Sequence, residues 1–190
     1  AELQQAGIEA DAVIIHDDLD HLQQKLQPLI AGHDVVLTCG GVLDGDKDLT
    51  IQAMDGLGVT SVFRRVRVGP GKGICMGKKG NTLIFNLPGG PPSNHVAFLL
   101  LALPGIRRLT GIQEPFSGME QAVITSQVKG QTGWTQVGYA KLKNTYPRTA
   151  TPVCNTSRLQ AMADANCLIE LPEDVGSIEA GAVGTVWKIR

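Results

Sequence analysis

Two glycine-rich turns hold the residues of this chain best suited to a charged ligand. The first runs Cys39-Gly40-Gly41-Val42-Leu43-Asp44-Gly45-Asp46-Lys47-Asp48 and follows the apolar residues 35–38. The second runs Pro88-Gly89-Gly90-Pro91-Pro92-Ser93 and follows residues 83–87. A strand that stops in glycines and restarts as a helix turns free backbone N–H groups toward a crevice. Those groups, with the positive end of the helix dipole, suit phosphate or another oxyanion. Two such turns in one domain point to a ligand with extended anionic character. Asp44, Asp46 and Asp48 add carboxylates to the first turn, which calls for a cation near the anion.

The other charged residues are read against plainer roles. Lys72 lies in Gly69-Pro70-Gly71-Lys72-Gly73, a loop too bare to pack, so its ammonium is placed for a ligand. Arg65 is a candidate anion contact, although Arg64, Arg65 and Arg67 together also read as an exposed strand face. Asp48 directly precedes a helix expected over 49–57. It reads equally as the N-cap of that helix and as a cation ligand, and the two roles coexist. Cys39 ends a strand beside a helix start, a position that activates thiols. No histidine stands near it in sequence, so the inert reading leads. His95 reads as a surface residue near the second turn, and His16, His21 and His33 lack metal spacing.

These turns need a layered scaffold. The apolar spacing predicts a helix end over 1–6 closed by Gly7, a strand over 12–15, a helix over 20–30 and a buried strand over 35–38. A strand over 61–68 follows, then a hairpin whose strands, 74–76 and 82–86, flank Gly77-Lys78-Lys79-Gly80-Asn81, then an apolar helix beginning at Ser93 as N-cap. This rhythm predicts an α/β domain: a mostly parallel three-layer sheet over residues 1–112. From 113 the chain reads as short strands and turns with one helix over 157–165, a small all-β barrel-like domain.

At 190 residues and a net charge of −1, nothing global argues for nucleic acid or an acidic membrane surface. The longest apolar run, 96–103, is too short to span a bilayer and meets Pro104. Four scattered cysteines without a Cys-x-x-Cys pair read as reduced thiols of a cytoplasmic protein.

On both turns, on Pro70-Gly71-Lys72, and on the tail Ser157-Arg158-Leu159, Cys167-Leu168-Ile169-Glu170-Leu171-Pro172 and Glu179-Ala180-Gly181, the chain resembles the C-terminal half of the molybdopterin molybdenumtransferase family, to which gephyrin's E domain is related. The resemblance implies a molybdopterin-binding domain whose first strand is missing, followed by a C-terminal barrel. It implies the insertion of molybdate into adenylylated molybdopterin with release of AMP, here as a fragment of a homodimeric enzyme. Asp48 and Lys72 would take catalytic roles. Gly40, Gly41, Gly45, Arg65, Pro88, Gly89, Gly90 and Ser93 would bind molybdopterin or its adenylylated form, and Asp46 and Asp48 would hold Mg²⁺. Cys39, Leu43, Gly69, Gly73, Gly90 and Pro92 stand where the family's motifs carry other residues. These departures support an alternative, a non-catalytic molybdopterin- or nucleotide-binding module.

Overall fold

The structure of the chain, a computed structural model, describes residues 2–5, 7–41, 48–116, 118–153 and 157–189. Helix α1 (Glu2–Gln5) ends at Gly7, whose φ of 70° only glycine adopts without strain. The Gly7 N–H donates to Gln4 O at 3.0 Å and the Ile8 N–H to Leu3 O at 2.9 Å, and Leu3 and Ile8 pack on the same core. This is the double closure of a Schellman ending. Helix α2 (Leu19–Gly32) begins one residue before the expected start, because Asp18 caps it by accepting from the His21 N–H at 2.8 Å.

The expected strand over 12–15 does not form. These residues pair with no described strand, and Val13 and Ile14 are exposed. A cavity separates them from β1 (Val35–Cys39), so no ladder can close. After helix α3 (Leu49–Gly56) come β2 (Thr60–Arg64), β3 (Val68–Gly69), β4 (Cys75–Lys79) and β5 (Thr82–Leu87). The sheet order is β1-β5-β4-β2. The α/β class holds, but the expected mostly parallel sheet is a correction. Only β1 and β5 run parallel; β4 is antiparallel to both β5 and β2. The cause is local: Gly80, at φ 59°, turns β4 straight back into β5.

The strand expected over 61–68 is also broken. It stops at Arg64, since Arg65 sits at φ 73°. Val68 and Gly69 pair instead with the second domain.

Three layers result. Leu22, Leu26, Ile30, Ala53 and Met54 of α2 and α3 cover one face with Val36 and Ile84. Phe85 and Leu87 face the other, under helix α4 (Pro91–Ala97), a π-helical turn over Phe98–Ala102 and helix α5 (Leu103–Leu109). Pro104 has no N–H to continue an α-helical ladder, and the wider turn before it absorbs the interruption.

The remaining strands are β6 (Met119–Ile124), β7 (Val128–Lys129), β8 (Thr135–Lys143), β9 (Thr149–Pro152), β10 (Cys167–Leu171), β11 (Ser177–Ile178) and β12 (Val183–Lys188), with helix α6 (Arg158–Asp164) before β10. Pairings β10-β12-β6-β9-β8 and β8–β10 close a five-stranded barrel. Its core is Ala122, Ile124, Ala140, Ala150, Ile169 and Val186 with their neighbours. The barrel sits against the α/β part through Val96, Val137 and Leu168, and through β3, which pairs parallel to β8. No described helix is long and apolar enough to cross a membrane.

On the barrel surface Glu120 meets Arg148 and, at 2.5 Å, Lys188. The Lys188 hydrogen bond first, and the Arg148 charge with it, hold the Glu120 carboxyl below its ordinary value of 4.5. A lowered carboxylate stabilises the fold above its unfolded value and loses that contribution as pH falls through it. The barrel is therefore expected to lose stability as pH drops below 4.5, and Glu120→Gln is expected to flatten that decline. Melts of both proteins between pH 6 and 3 check it.

Candidate functional site

Strand register gathers the site along one end of the sheet. Thr38 of β1 lies beside Asn86 of β5, Asn86 beside Cys75 of β4, and Cys75 beside Arg64 of β2. Just beyond this row come Cys39–Gly41, Leu87–Gly90, Gly73 and Arg65. They lie outside the carboxyl ends of the parallel pair β1/β5, where open α/β sheets bind ligands.

The two glycine turns touch. A Cβ on Gly89 would stand 3.4 Å from Gly40 Cα. Gly40 and Gly41 take φ of 99° and 64°, the left-handed region that glycine alone enters freely. Gly41 is fixed a second time, since a Cβ there would lie 2.3 Å from Thr50 Oγ1. The Gly40 N–H is already bonded to Leu87 O at 3.0 Å, so it is closed to a ligand. Among the described residues none takes the N–H of Gly41, Gly89 or Gly90.

The second turn is narrower as an anion site than expected. Gly90, not Ser93, is the N-cap of α4, and Pro91 and Pro92 occupy its first turn without N–H groups. The donors left at this helix start are Gly90 and Ser93. Asn94 braces the turn by donating from Nδ2 to Pro88 O at 3.0 Å.

The lysine loop is tied to this turn. Gly71 takes φ 117°, a region L side chains rarely adopt, and a Cβ there would stand 3.4 Å from Ser93 O and Ala97 N, in contact with α4, so the loop lies directly on that helix. Lys72 next to it is exposed, and its carbonyl accepts from the Val66 N–H at 3.1 Å. The Arg65 N–H donates to Ile74 O at 3.0 Å, so Arg65 and Lys72 lie on the two sides of one backbone clasp. A left-handed arginine costs about 1–2 kcal/mol. Strain of that kind collects at functional sites.

Asp48 is the N-cap of α3 and accepts from the Ile51 N–H at 3.3 Å. Burial pushes its carboxyl up, against the lowering pull of that hydrogen bond and of Arg64. Arg64 itself pairs with Asp55, at 2.6 and 2.9 Å. Gly45 and Asp46, two further expected site residues, lie outside the described residues, as does Asp44. His95 is not a free surface residue: its ring stacks on Tyr139 of the barrel, with Nδ1 3.1 Å from the hydroxyl. Cys39 is exposed, while Cys75 and Cys167 are buried and carry no disulfide among the described residues.

Two residues escaped sequence reasoning. Asn86 is buried, and its Oδ1 accepts from Thr38 Oγ1 at 2.7 Å, bracing β1 to β5 under the turns. Thr50 wedges under Gly41. An asparagine inside the apolar run 83–87 was the available signal, since asparagine is depleted in strands.

An α/β domain with paired glycine turns at the carboxyl ends of β1 and β5, followed by a closed five-stranded barrel, defines the class. Residues 1–108 match the family described as "Probable molybdopterin binding domain", and residues 121–189 match "MoeA C-terminal region (domain IV)". The chain belongs to the molybdopterin-binding domain family, in the form that carries the MoeA C-terminal region. It is 29% identical over 179 residues to a molybdopterin molybdenumtransferase of Bacillus subtilis, covering 93% of this chain and 42% of the relative. It is 28% identical to molybdopterin molybdenumtransferase 2 of Mycobacterium tuberculosis, covering 91% and 44%. The crystal structure of a molybdopterin biosynthesis MoeA protein from Pyrococcus horikosii superposes with a TM-score of 0.76 at 25% identity, over 93% of this chain and 42% of that one. The chain thus spans less than half the length of these relatives.

Proposed function

We propose that this chain is the molybdopterin-holding portion of a cytoplasmic molybdopterin molybdenumtransferase. The observation that carries the reading is the contact between the two glycine turns, with the Lys72 loop laid against the helix that follows the second turn. Open N–H groups at Gly41, Gly89 and Gly90 take phosphate oxygens. Lys72 and Arg65 add positive charge, lysine as a point and arginine as a fork. Molybdate insertion into adenylylated molybdopterin, with release of AMP, is the reaction of the whole homodimeric enzyme in this reading. The 190 residues bind the cofactor precursor without turning it over.

Mg²⁺ is part of the proposal. No described group of three His, Cys, Asp or Glu side chains forms a cage. The donor set still fits this ion, which takes one or two carboxylates and completes its shell with water and phosphate oxygens. Asp48 would supply one carboxylate oxygen, with Asp46 as its expected partner. The ion would screen repulsion between the two anions.

Asp48→Asn separates cap from cation ligand, because asparagine caps about as well as aspartate. The expected result is a near-native melt with affinity for adenylylated molybdopterin reduced only when Mg²⁺ is present. Calorimetric titration with and without Mg²⁺ measures this, and equal affinities in Mg²⁺ leave Asp48 as a cap alone. Molybdate-dependent AMP release by the 190-residue chain would overturn the binding-only reading.

A further inference from the structure

Strand alternation sets a polar row on the α3 side of the sheet. Phe63, Met76, Phe85 and Leu87 pack on the face under α4 and α5, and Val36 and Ile84 on the face under α2 and α3. Successive side chains of a strand point to opposite faces. Thr38, Asn86, Cys75 and Arg64, paired in that order across the sheet, therefore share the α3 side, next to the glycine turns.

Asn86 is the member of this row with a bond to spare. It is 4% exposed, and its Oδ1 accepts from Thr38 Oγ1 at 2.7 Å, while Nδ2 has no partner among the described residues. No wholly buried side-chain nitrogen or oxygen among those residues lacks a partner. Nδ2 therefore reaches the surface, and the small exposed part of Asn86 includes this NH2. Buried polar groups are as a rule hydrogen-bonded, so an amide pinned at its oxygen with its N–H groups open calls for an acceptor.

The surroundings select that acceptor. Arg64 meets Asp55 through Nη2 alone, which leaves Nε and Nη1 without partners among the described residues. Cys75, between Asn86 and Arg64 in the row, has its thiol raised first by burial, and the charges of Asp48, Arg64 and Arg65 act on it as well. Two cations and one carboxylate thus lie about this spot, and Gly41, three residues after Thr38, adds an open N–H. That balance favours an oxyanion oxygen.

We propose that Asn86 is a further ligand residue of the site: Nδ2 donates to an oxyanion oxygen of the bound molecule while Thr38 holds Oδ1. The inference rests on the molybdopterin reading and adds to it a neutral donor carried by the sheet itself, apart from the turns and the Lys72 loop.

The test is a titration of adenylylated molybdopterin into the whole ¹⁵N-labelled chain, followed by nuclear magnetic resonance at the Asn86 side-chain NH2 and at the backbone N–H groups of Gly41, Gly89 and Gly90. The Asn86 NH2 is expected to shift saturably in step with the glycines and to exchange more slowly with water once the ligand is bound. Glycine signals that move while the Asn86 NH2 keeps its position and exchange rate overturn the inference and leave the molybdopterin reading standing. No saturable change at either place overturns that reading, and this inference with it. Asn86→Asp gives a second arm, because a carboxylate still accepts from Thr38 but has no N–H to donate. It is expected to weaken binding about 10- to 100-fold, the weight of a hydrogen bond to a charged group, with circular dichroism unchanged. Equal affinity of a folded Asn86→Asp variant shows a brace alone and overturns the proposal; if the variant does not fold, the resonance titration of the native chain decides.

Discussion

Phe85→Ala is expected to cost about 3–5 kcal/mol of stability, the usual range for emptying a fully packed aromatic site. Phe85 is 2% exposed and lies at the centre of the face covered by α4, the π turn and α5. Its ring also shapes the helix above it: a Cβ on Gly105 would lie 2.9 Å from Phe85 Cζ. The helix is therefore seated on the ring edge, and collapse into the vacated volume would have to move backbone. That places the expected cost toward the upper end of the range. Urea unfolding should show a lower midpoint with an unchanged slope. A loss under 1 kcal/mol would show that the helix does not rest on Phe85.

The second large effect is expected at the first glycine turn. Gly41→Val meets two separate penalties. A valine at φ 64° carries about 1–2 kcal/mol of left-handed backbone strain. Its Cβ would also stand 2.3 Å from Thr50 Oγ1, an overpacked contact worth about 1–3 kcal/mol. Together these predict a loss of roughly 2–5 kcal/mol. The two parts separate in a double-mutant cycle. In a Thr50→Ala background the steric part is expected to shrink, because the 2.3 Å contact with Oγ1 is gone while the residue-50 Cβ remains at 3.0 Å, and the backbone part persists. Additive losses in that cycle would show that Thr50 does not fix the turn.

The site was legible in the sequence where glycine and a helix start leave a local signature. Gly7, Gly40, Gly41 and Gly71 all take positive φ, and Asp48 caps the helix it precedes. Spacing alone failed where tertiary pairing decides. Residues 12–15 are an apolar run that reads as a strand yet pair with no described strand. Val68 and Gly69 continue an apparent strand but belong to the barrel's ladder. β9 is four residues with a proline at its end and carries no period to detect. The brace between Thr38 and Asn86 depends on the register of two strands 48 positions apart. Ser93 looked like a cap because serine favours that position, but two prolines fit the first turn and move the start back to Gly90.

The central claim is that the joined glycine turns and the Lys72 loop hold a phosphate-bearing pterin. Lys72 is exposed and forms no ion pair with another described residue, so Lys72→Ala is expected to change stability by no more than about 0.5 kcal/mol. Calorimetric titration of adenylylated molybdopterin into the native chain and into Lys72→Ala is the most direct measurement. Saturable one-to-one binding to the native chain, weakened at least tenfold in the variant at an unchanged melting temperature, is the predicted result. Absence of binding to the native chain, or equal affinity of the two proteins, would contradict the account.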